Sequence, residues 1–292
     1  MLSVIIPSYK GPYLNRTVKD LLDKSTDKIE ILVHLDGPPA ETPIEDERVS
    51  YTKTDKSMGM RYGINEGLRR AKGTYIMKCD DHCCFAPGFD TELKKDFEKH
   101  WLVIPRRYAL HADNWDRVVS QPIKDYHFLS FPSEGGKWGS SLYPQEWIVR
   151  GKERRNGPTI DDTMTFQGSC YFADREFFMN LVGFLDDSPD RYTSFSGEPL
   201  EVGSKYWLSG KGEVKVNKNT WYAHLFKNER YYVGVGASER LYKINLKARS
   251  GHIWGGKHWF NNEEPGMEHK LSWLVEKFWP VPTWPENYKE LC

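Results

Sequence analysis

The chain has 292 residues, enough for one large domain or two modest ones, and 39% of them are hydrophobic, enough for a sizeable core. Forty-one Lys and Arg balance 41 Asp and Glu, so whole-molecule charge gives no sign of a polyanion partner. No apolar run approaches the ~18 residues of a membrane span, and five irregularly spaced cysteines without a C-x-x-C pair argue against a disulfide framework.

In chain order, residues 2–6 (LSVII) predict a short strand stopped by Pro7, with Gly11-Pro12 in the loop that follows. A helix comes next, with Leu14, Val18, Leu21 and Leu22 on its apolar face and Pro12 near its start. Residues 29–35 (IEILVHL) predict a second strand ending at Asp36-Gly37-Pro38-Pro39, and residues 49–53 a weaker third. Met60, Ile64, Leu68 and Ala71 form one helical stripe that Gly73 closes, and residues 74–79 predict a fourth strand. Strands alternating with helices in this way predict a parallel α/β sheet, whose ligands bind at the carboxyl ends of the strands.

Residues 101–105 predict a further strand. Residues 106–162 are aromatic and rich in Gly and Pro, which predicts antiparallel strands and loops. Residues 165–172 predict a strand, followed by a helix starting near Asp174. Another helix is expected from about Pro199, with Leu200, Val202, Tyr206 and Leu208 inside, and a late strand over residues 221–226 carries His224. The tail is Trp-rich, and Trp273 and Trp279, at helix-like spacing, are expected to pack against the domain. Between Lys205 and Lys257 eleven Lys or Arg face three acids, an excess of eight positive charges that fits either a solvated surface or a phosphate-rich partner.

The stretch YIMKCDDHCCF puts Asp80, Asp81 and His82 at the tip of the fourth strand. Residues 80 and 82 point the same way if the strand geometry persists. A carboxylate and an imidazole together suit a divalent ion such as Mn²⁺ or Mg²⁺, and two protein ligands leave positions for phosphate oxygens. A turn capped by Asp81 beside a solvated His82 is the plainer alternative. Asp36 lies at another strand end and shares that crevice, or simply forms a turn.

These blocks resemble a GT-A nucleotide-sugar glycosyltransferase. SVIIPSYKGPYLNRTVKDLL resembles the first strand and helix of family 2 of these enzymes, and CDDHCCFAPGFDTEL sits where they carry an Asp-x-Asp metal motif. The variant Asp80-x-His82 resembles the Asp-x-His of polypeptide N-acetylgalactosaminyltransferases. QGSCYFADREFFMNLVGF, FSGEPLEVGSKYWLSGKGEV and TWYAHLFK resemble that family's Gly-rich strand, donor-sugar segment and late strand with a metal-binding His. The aromatic-Gly-Gly start of its donor-sugar segment is Phe195-Ser196-Gly197 here.

The resemblance implies a mostly parallel central sheet flanked by helices, a smaller antiparallel β region and a C-terminal extension. It implies a catalytic domain over 1–228, split into a nucleotide-binding half (1–100) and an acceptor and donor-sugar half (101–228), with a basic, Trp-rich extension over 229–292. Pro7, Ser8 and Tyr9 would line the nucleoside pocket, Asp36 would contact base or ribose, and Arg61, Asp80 and Asp81 would lie at the nucleotide. Asp80, His82 and His224 would hold Mn²⁺ or Mg²⁺, and Glu198 would accept hydrogen bonds from the donor sugar. An inverting reaction needs a base, which Glu198, Glu201, Asp161 or Asp162 could supply; a retaining one can pass the proton to the departing phosphate. The expected donor is a UDP-sugar. The acceptor is a glycan or envelope intermediate, or a hydroxymethylated DNA base held by the 205–257 segment; protein is a third choice. A non-catalytic sugar- or nucleotide-binding module is the alternative reading. The cysteine usage, the lack of a basic leader before Pro7 and the lack of an anchor point to a cytoplasmic setting.

Overall fold

Long apolar runs in the first eighty residues become the covered centre of a sheet whose one end carries the site. The computed structural model describes residues 1–132, 142–193, 197–226 and 237–292, the side chains of 237–248 excepted. The chain opens with β1 (Leu2–Ser8), α1 (Leu14–Lys24), β2 (Ile29–Asp36), β3 (Val49–Thr54), α2 (Met60–Arg70) and β4 (Tyr75–Cys79), in the predicted order. β1 pairs in parallel with β2 and β4, and β2 with β3, so their carboxyl ends share one edge. Val4, Ile6, Ile31 and Val33 are fully buried, as befits strands covered on both faces. α2 lies close on β1: a Cβ on Gly67 would come within 2.3 Å of Ile5. The helix ends at Arg70 with Ala71 already extended, short of the predicted stop at Gly73. Gly73 serves the β1 junction instead, its N–H donating to Ser3 Oγ (2.8 Å).

After β4 come β5 (Cys83–Phe85), α3 (Phe89–Lys94), β6 (Trp101–His111), β7 (Asp116–Arg117), β8 (His127–Leu129), β9 (Pro144–Glu146), α4 (Ile148–Glu153) and β10 (Ile160–Asp162). Then follow β11 (Cys170–Asp174), α5 (Arg175–Leu181), α6 (Glu198–Leu208), β12 (Glu213–His224), α7 (Ala237–Phe260) and α8 (Leu271–Lys277). Among the described residues, ten strands form one sheet with the path β10-β12-β6-β11-β4-β1-β2-β3; β5 pairs with β12 and β7 with β6. β6 and β12 are parallel, β11 runs antiparallel to β4 and β6, and β8–β9 form a separate antiparallel pair.

Three predicted strands differ in length. β6 runs on to His111, six residues past its expected end. β11 begins only at Cys170, because Thr165 bridges to His127 and the Ser169 N–H donates back to Gln167 O (2.9 Å). β12 begins at Glu213, since Val214 and Val216 alternate into the core before an irregularity between Asn217 and Trp221 breaks the pattern. The helix predicted near Asp174 is α5, with the Asp174 carboxylate accepting from Phe177 N–H (2.8 Å).

One hydrophobic core runs from Leu2 to the C-terminal Trp259, Leu274, Phe278, Trp284 and Tyr288. Trp284 Nε1–H donates to Leu129 O (2.7 Å), fastening the tail to the small sheet. Trp273 is partly buried and stacks on His269; Trp279 is more exposed and stacks on Tyr288. No helix among the described residues is long and apolar enough to cross a membrane. All five cysteines are free thiols, four of them buried.

Candidate active site

The cluster at the end of β4 is assembled by a strand that the sequence hardly announces. β5 lies antiparallel to the end of β12, with Cys83 opposite His224. Its other edge is held by α1: Cys83 N–H donates to Thr17 Oγ1 (3.1 Å) and Phe85 N–H to the Asp20 carboxylate (2.7 Å). These bonds give buried polar groups of α1 a partner and fix β5 in register. His82 therefore stands beside His224, ring centroids 4.7 Å apart, although the two are distant in sequence. The Asp80 N–H donates to Ser169 O (2.9 Å), tying the end of β4 to the loop before β11.

Asp80, His82 and His224 each bring one ligand atom to a set lying within 4.8 Å of one another. His224 Nε2 is 3.2 Å and His82 Nε2 3.8 Å from Asp80 Oδ2. Two ligands at ~2.1 Å from one ion can be at most about 4.2 Å apart, so a small inward adjustment completes a three-ligand site. Burial pushes His224 down to about 3, against the pull of Asp80, and so keeps its imidazole neutral, as a ligand must be. Burial alone would raise Asp80, but Lys78 and the two imidazoles outweigh it and hold the carboxylate well below its usual range. A carboxylate oxygen and two imidazole nitrogens fit Mn²⁺.

Asp81 works behind this set. Its Oδ1 accepts from His82 Nδ1–H (2.6 Å) and its Oδ2 from the Ser8 hydroxyl (2.6 Å). An ionised carboxylate only accepts, so the proton sits on Nδ1 and Nε2 is left to face Asp80. Gly11 makes room: a Cβ there would lie 1.9 Å from Asp81 Oδ2.

Lys78 is the residue the sequence reading passed over. It lies in β4, 1% exposed, with Nζ 2.7 Å from Asp80 Oδ1 and 3.5 Å from Glu198 Oε2, and it also donates to Gly168 O. Burial works against its charge, but Asp80 and Glu198 prevail and raise its pKa above the ordinary value. The available signal was a lysine inside an apolar strand, two residues before an acid, where only paired charges survive. Glu198 opens α6 and is buried; neither carboxylate oxygen accepts a well-formed hydrogen bond among the described residues. Burial raises its pKa, with Lys78 opposing.

The other expected residues lie as follows. Arg61 and Glu201 are paired with each other: the buried guanidinium donates to Glu201 Oε2 and to Asp186 O, and lies 3.9 Å over the Tyr192 ring. Lys205 Nζ donates to the second Glu201 oxygen (3.0 Å). Asp36 accepts from Thr54 and Ser57 hydroxyls and from the Met58 and Gly59 amides, and so shapes the entry to α2. Pro7 and Ser8 end β1, and the exposed Tyr9 ring lies against Gly37 at the end of β2. Asp161 and Asp162 sit in β10 at the far edge of the sheet, where Tyr126 and Arg154 bind the first and Lys215 the second.

The basic segment is less free than its composition implied. Lys205 pairs with Glu201 and Glu264, Lys215 with Asp162 and Glu213, and Lys218 donates to Arg154 O (2.8 Å), whereas Lys211, Arg249 and Lys257 are exposed with no ion pair among the described residues. Lys227, Arg230, the side chains of Arg240, Lys243 and Lys247, and Phe195 and Ser196 lie outside the described residues, as does the 228/229 boundary.

The family model described as Glycosyl transferase family 2 matches residues 3–181. Among solved structures, GalNAc-T7 with UDP, GalNAc and Mn²⁺ aligns over 95% of this chain and 57% of its own, at 18% identity and a TM-score of 0.64. S. aureus TarS 1-349 aligns over 84% of this chain and 64% of its own, at 12% identity and a TM-score of 0.48. The chain thus spans less than two thirds of either. The likeness to GalNAc-T7 shows a shared fold, and with the mainly parallel sheet above it makes the fold GT-A.

Proposed function

The chain belongs to glycosyl transferase family 2, and on that premise we propose that it moves a sugar from a nucleotide diphosphate to an acceptor hydroxyl. The observation that carries this reading is the convergence of Asp80, His82 and His224 at the carboxyl ends of β4 and β12. Asp80, His82 and His224 would hold Mn²⁺ or Mg²⁺, which would supply positive charge against a departing diphosphate. The ligands of the GalNAc-T7 structure make UDP and Mn²⁺ the first donor nucleotide and ion to test.

Around that centre the chain's own residues take distinct roles. Pro7 and Tyr9, at the end of β1, line the nucleoside side, and Asp36 positions the 57–59 loop below it. Asp81 and Ser8 orient His82. Glu198, buried with unused acceptor capacity, takes hydrogen bonds from donor-sugar hydroxyls, and Lys78 holds it and Asp80 in one frame. Arg61 and Glu201 brace the first turn of α6 rather than touch the reacting atoms. The acceptor we favour is a glycan or envelope hydroxyl, because Lys205, Lys215 and Lys218 of the basic segment are bound internally, which leaves Lys211, Arg249 and Lys257 as its exposed cations among the described residues.

Incubation with a panel of UDP-sugars and Mn²⁺ tests the reading by release of free UDP. Release that depends on Mn²⁺ and one sugar supports transfer. Tight binding of every donor without UDP release would mean a binding module on the same scaffold.

A further inference from the structure

β6 continues past Pro105, so Arg106 and Arg107 leave opposite faces of one strand. Arg106 finds Asp125 with two nitrogens, Nε at 3.0 Å and Nη2 at 2.8 Å. Arg107 turns the other way, is 4% exposed, and meets no carboxylate among the described residues. Its Nη2 bonds His127 Nε2 (3.1 Å), while Nε and Nη1 are buried without a hydrogen-bond partner. His127 supplies no charge: burial, with Arg107 and Lys124 beside it, holds it well below its usual range and hence neutral. A guanidinium withdrawn from water with donors unused is strongly unfavourable until an anion completes it.

The position of this guanidinium says which anion. Arg107 stands opposite Tyr222 and Ala109 opposite His224 in the parallel β6–β12 register, so Arg107 flanks the metal-ligand cluster. The Phe226 ring lies 5.5 Å from the Arg107 guanidinium, edge-on to His224 (5.2 Å), and has Lys124 Nζ 4.9 Å from its centre, that lysine being paired on its other side with Glu146 Oε2 (3.1 Å). β6 is separated from β1 by β11 and β4, so this flank lies across the cluster from Pro7, Ser8 and Tyr9. The donor's nucleoside occupies the far side, which leaves the β6 flank to the acceptor.

We propose that Arg107, with Lys124 at its rim and Phe226 packed over it, is a subsite for one phosphate group carried by the acceptor beside its reacting hydroxyl. The proposal rests on the glycosyl-transfer reading for what binds where. A single buried fork suits one phosphate in a fixed place. A row of exposed cations would suit a polyanion.

The test titrates inorganic phosphate and glycerol 3-phosphate by calorimetry into the full chain saturated with Mn²⁺ and UDP, so that the donor site is already filled. Arg107→Gln and Arg107→Lys are measured beside it. Saturable binding to the parent, at least tenfold weaker in Arg107→Gln and partly restored in Arg107→Lys, with UDP affinity within twofold throughout, bears the proposal out. Equal phosphate affinity in parent and Arg107→Gln overturns it. A UDP affinity that falls as far as phosphate affinity also overturns it, by making Arg107 a donor-diphosphate residue. So does single-stranded DNA competing far better than glycerol 3-phosphate, which would mark a nucleic-acid groove. In phosphate-free buffer Arg107→Gln should melt no lower than the parent, since it removes an unpaired charge; a large fall in Tm would show that the fold already satisfies the guanidinium. If UDP fails to bind the parent while phosphate binding still depends on Arg107, the subsite stands and the glycosyl-transfer reading fails.

Discussion

Glu198 and Glu201 leave the same first turn of α6, both buried, and reach opposite surroundings. Glu201 is closed: Arg61 and Lys205 take its two oxygens, and their charges outweigh burial and lower its pKa. Glu198 is more open: Lys78 stands at 3.5 Å and the buried Tyr171 hydroxyl lies beside it, yet neither oxygen has a well-formed hydrogen bond among the described residues, and burial raises its pKa against both. A closed buried pair holds structure, because removing one partner strands the other charge. An open buried carboxylate costs stability and persists where a ligand completes it. Proximity in sequence therefore says little about which of two acids does chemistry; the valence left over says more.

The largest effect expected on the closed side is in Arg61→Met, which leaves buried Glu201 with Lys205 alone and should lower unfolding free energy by about 3 kcal/mol in urea titrations. A loss under about 1 kcal/mol would mean that the pair is not closed. On the open side, Glu198→Gln should keep the parent's Tm and lose on the order of 10²–10³-fold in kcat, the scale of removing one preorganised polar contact. Loss of Tm with normal turnover would reverse the assignment of the two glutamates. Asp81→Asn is next: it keeps shape but weakens the hold on His82, and Mn²⁺ affinity should fall about 10–100-fold by calorimetry.

The smallest effect is in pH. Glu201 has a folded pKa below its ordinary value of 4.5, so its contribution is full above that value and disappears as pH falls through the lowered one. Glu201→Gln should remove that acid-side slope from stability measured against pH. Glu198 has the opposite sign: its raised pKa makes ionisation oppose the fold, so stability declines as pH rises from 4.5 through the raised value, and Glu198→Gln should flatten that decline. Slopes of one sign at both residues would erase the contrast.

What was legible in the sequence follows the same division. β1, β2 and β4 were readable because strands covered on both faces need near-continuous apolar runs, and Asp36 and Asp80 stood out where those runs stopped. β12 was caught only from Trp221 although Val214 and Val216 alternate clearly, because Asn217 to Thr220 interrupt the period. β5 has three residues, and its pairing with β12 is a long-range fact that no local pattern encodes. The pairing of Arg61 with Glu201 was equally hidden: each looks polar and helical in sequence, and only the fold brings the start of α6 within reach of Arg61 on α2. Lys78 and Arg107 were visible as cations within apolar strands, a signal that went unused.

The central claim is that Asp80, His82 and His224 grip one divalent ion that holds a nucleotide diphosphate. Mn²⁺ binding followed by electron paramagnetic resonance, with and without UDP, tests it most directly. One saturable Mn²⁺ per chain that tightens with UDP and disappears in Asp80→Ala, His82→Ala and His224→Ala is the predicted result. Mn²⁺ and UDP binding unchanged in all three variants would contradict it.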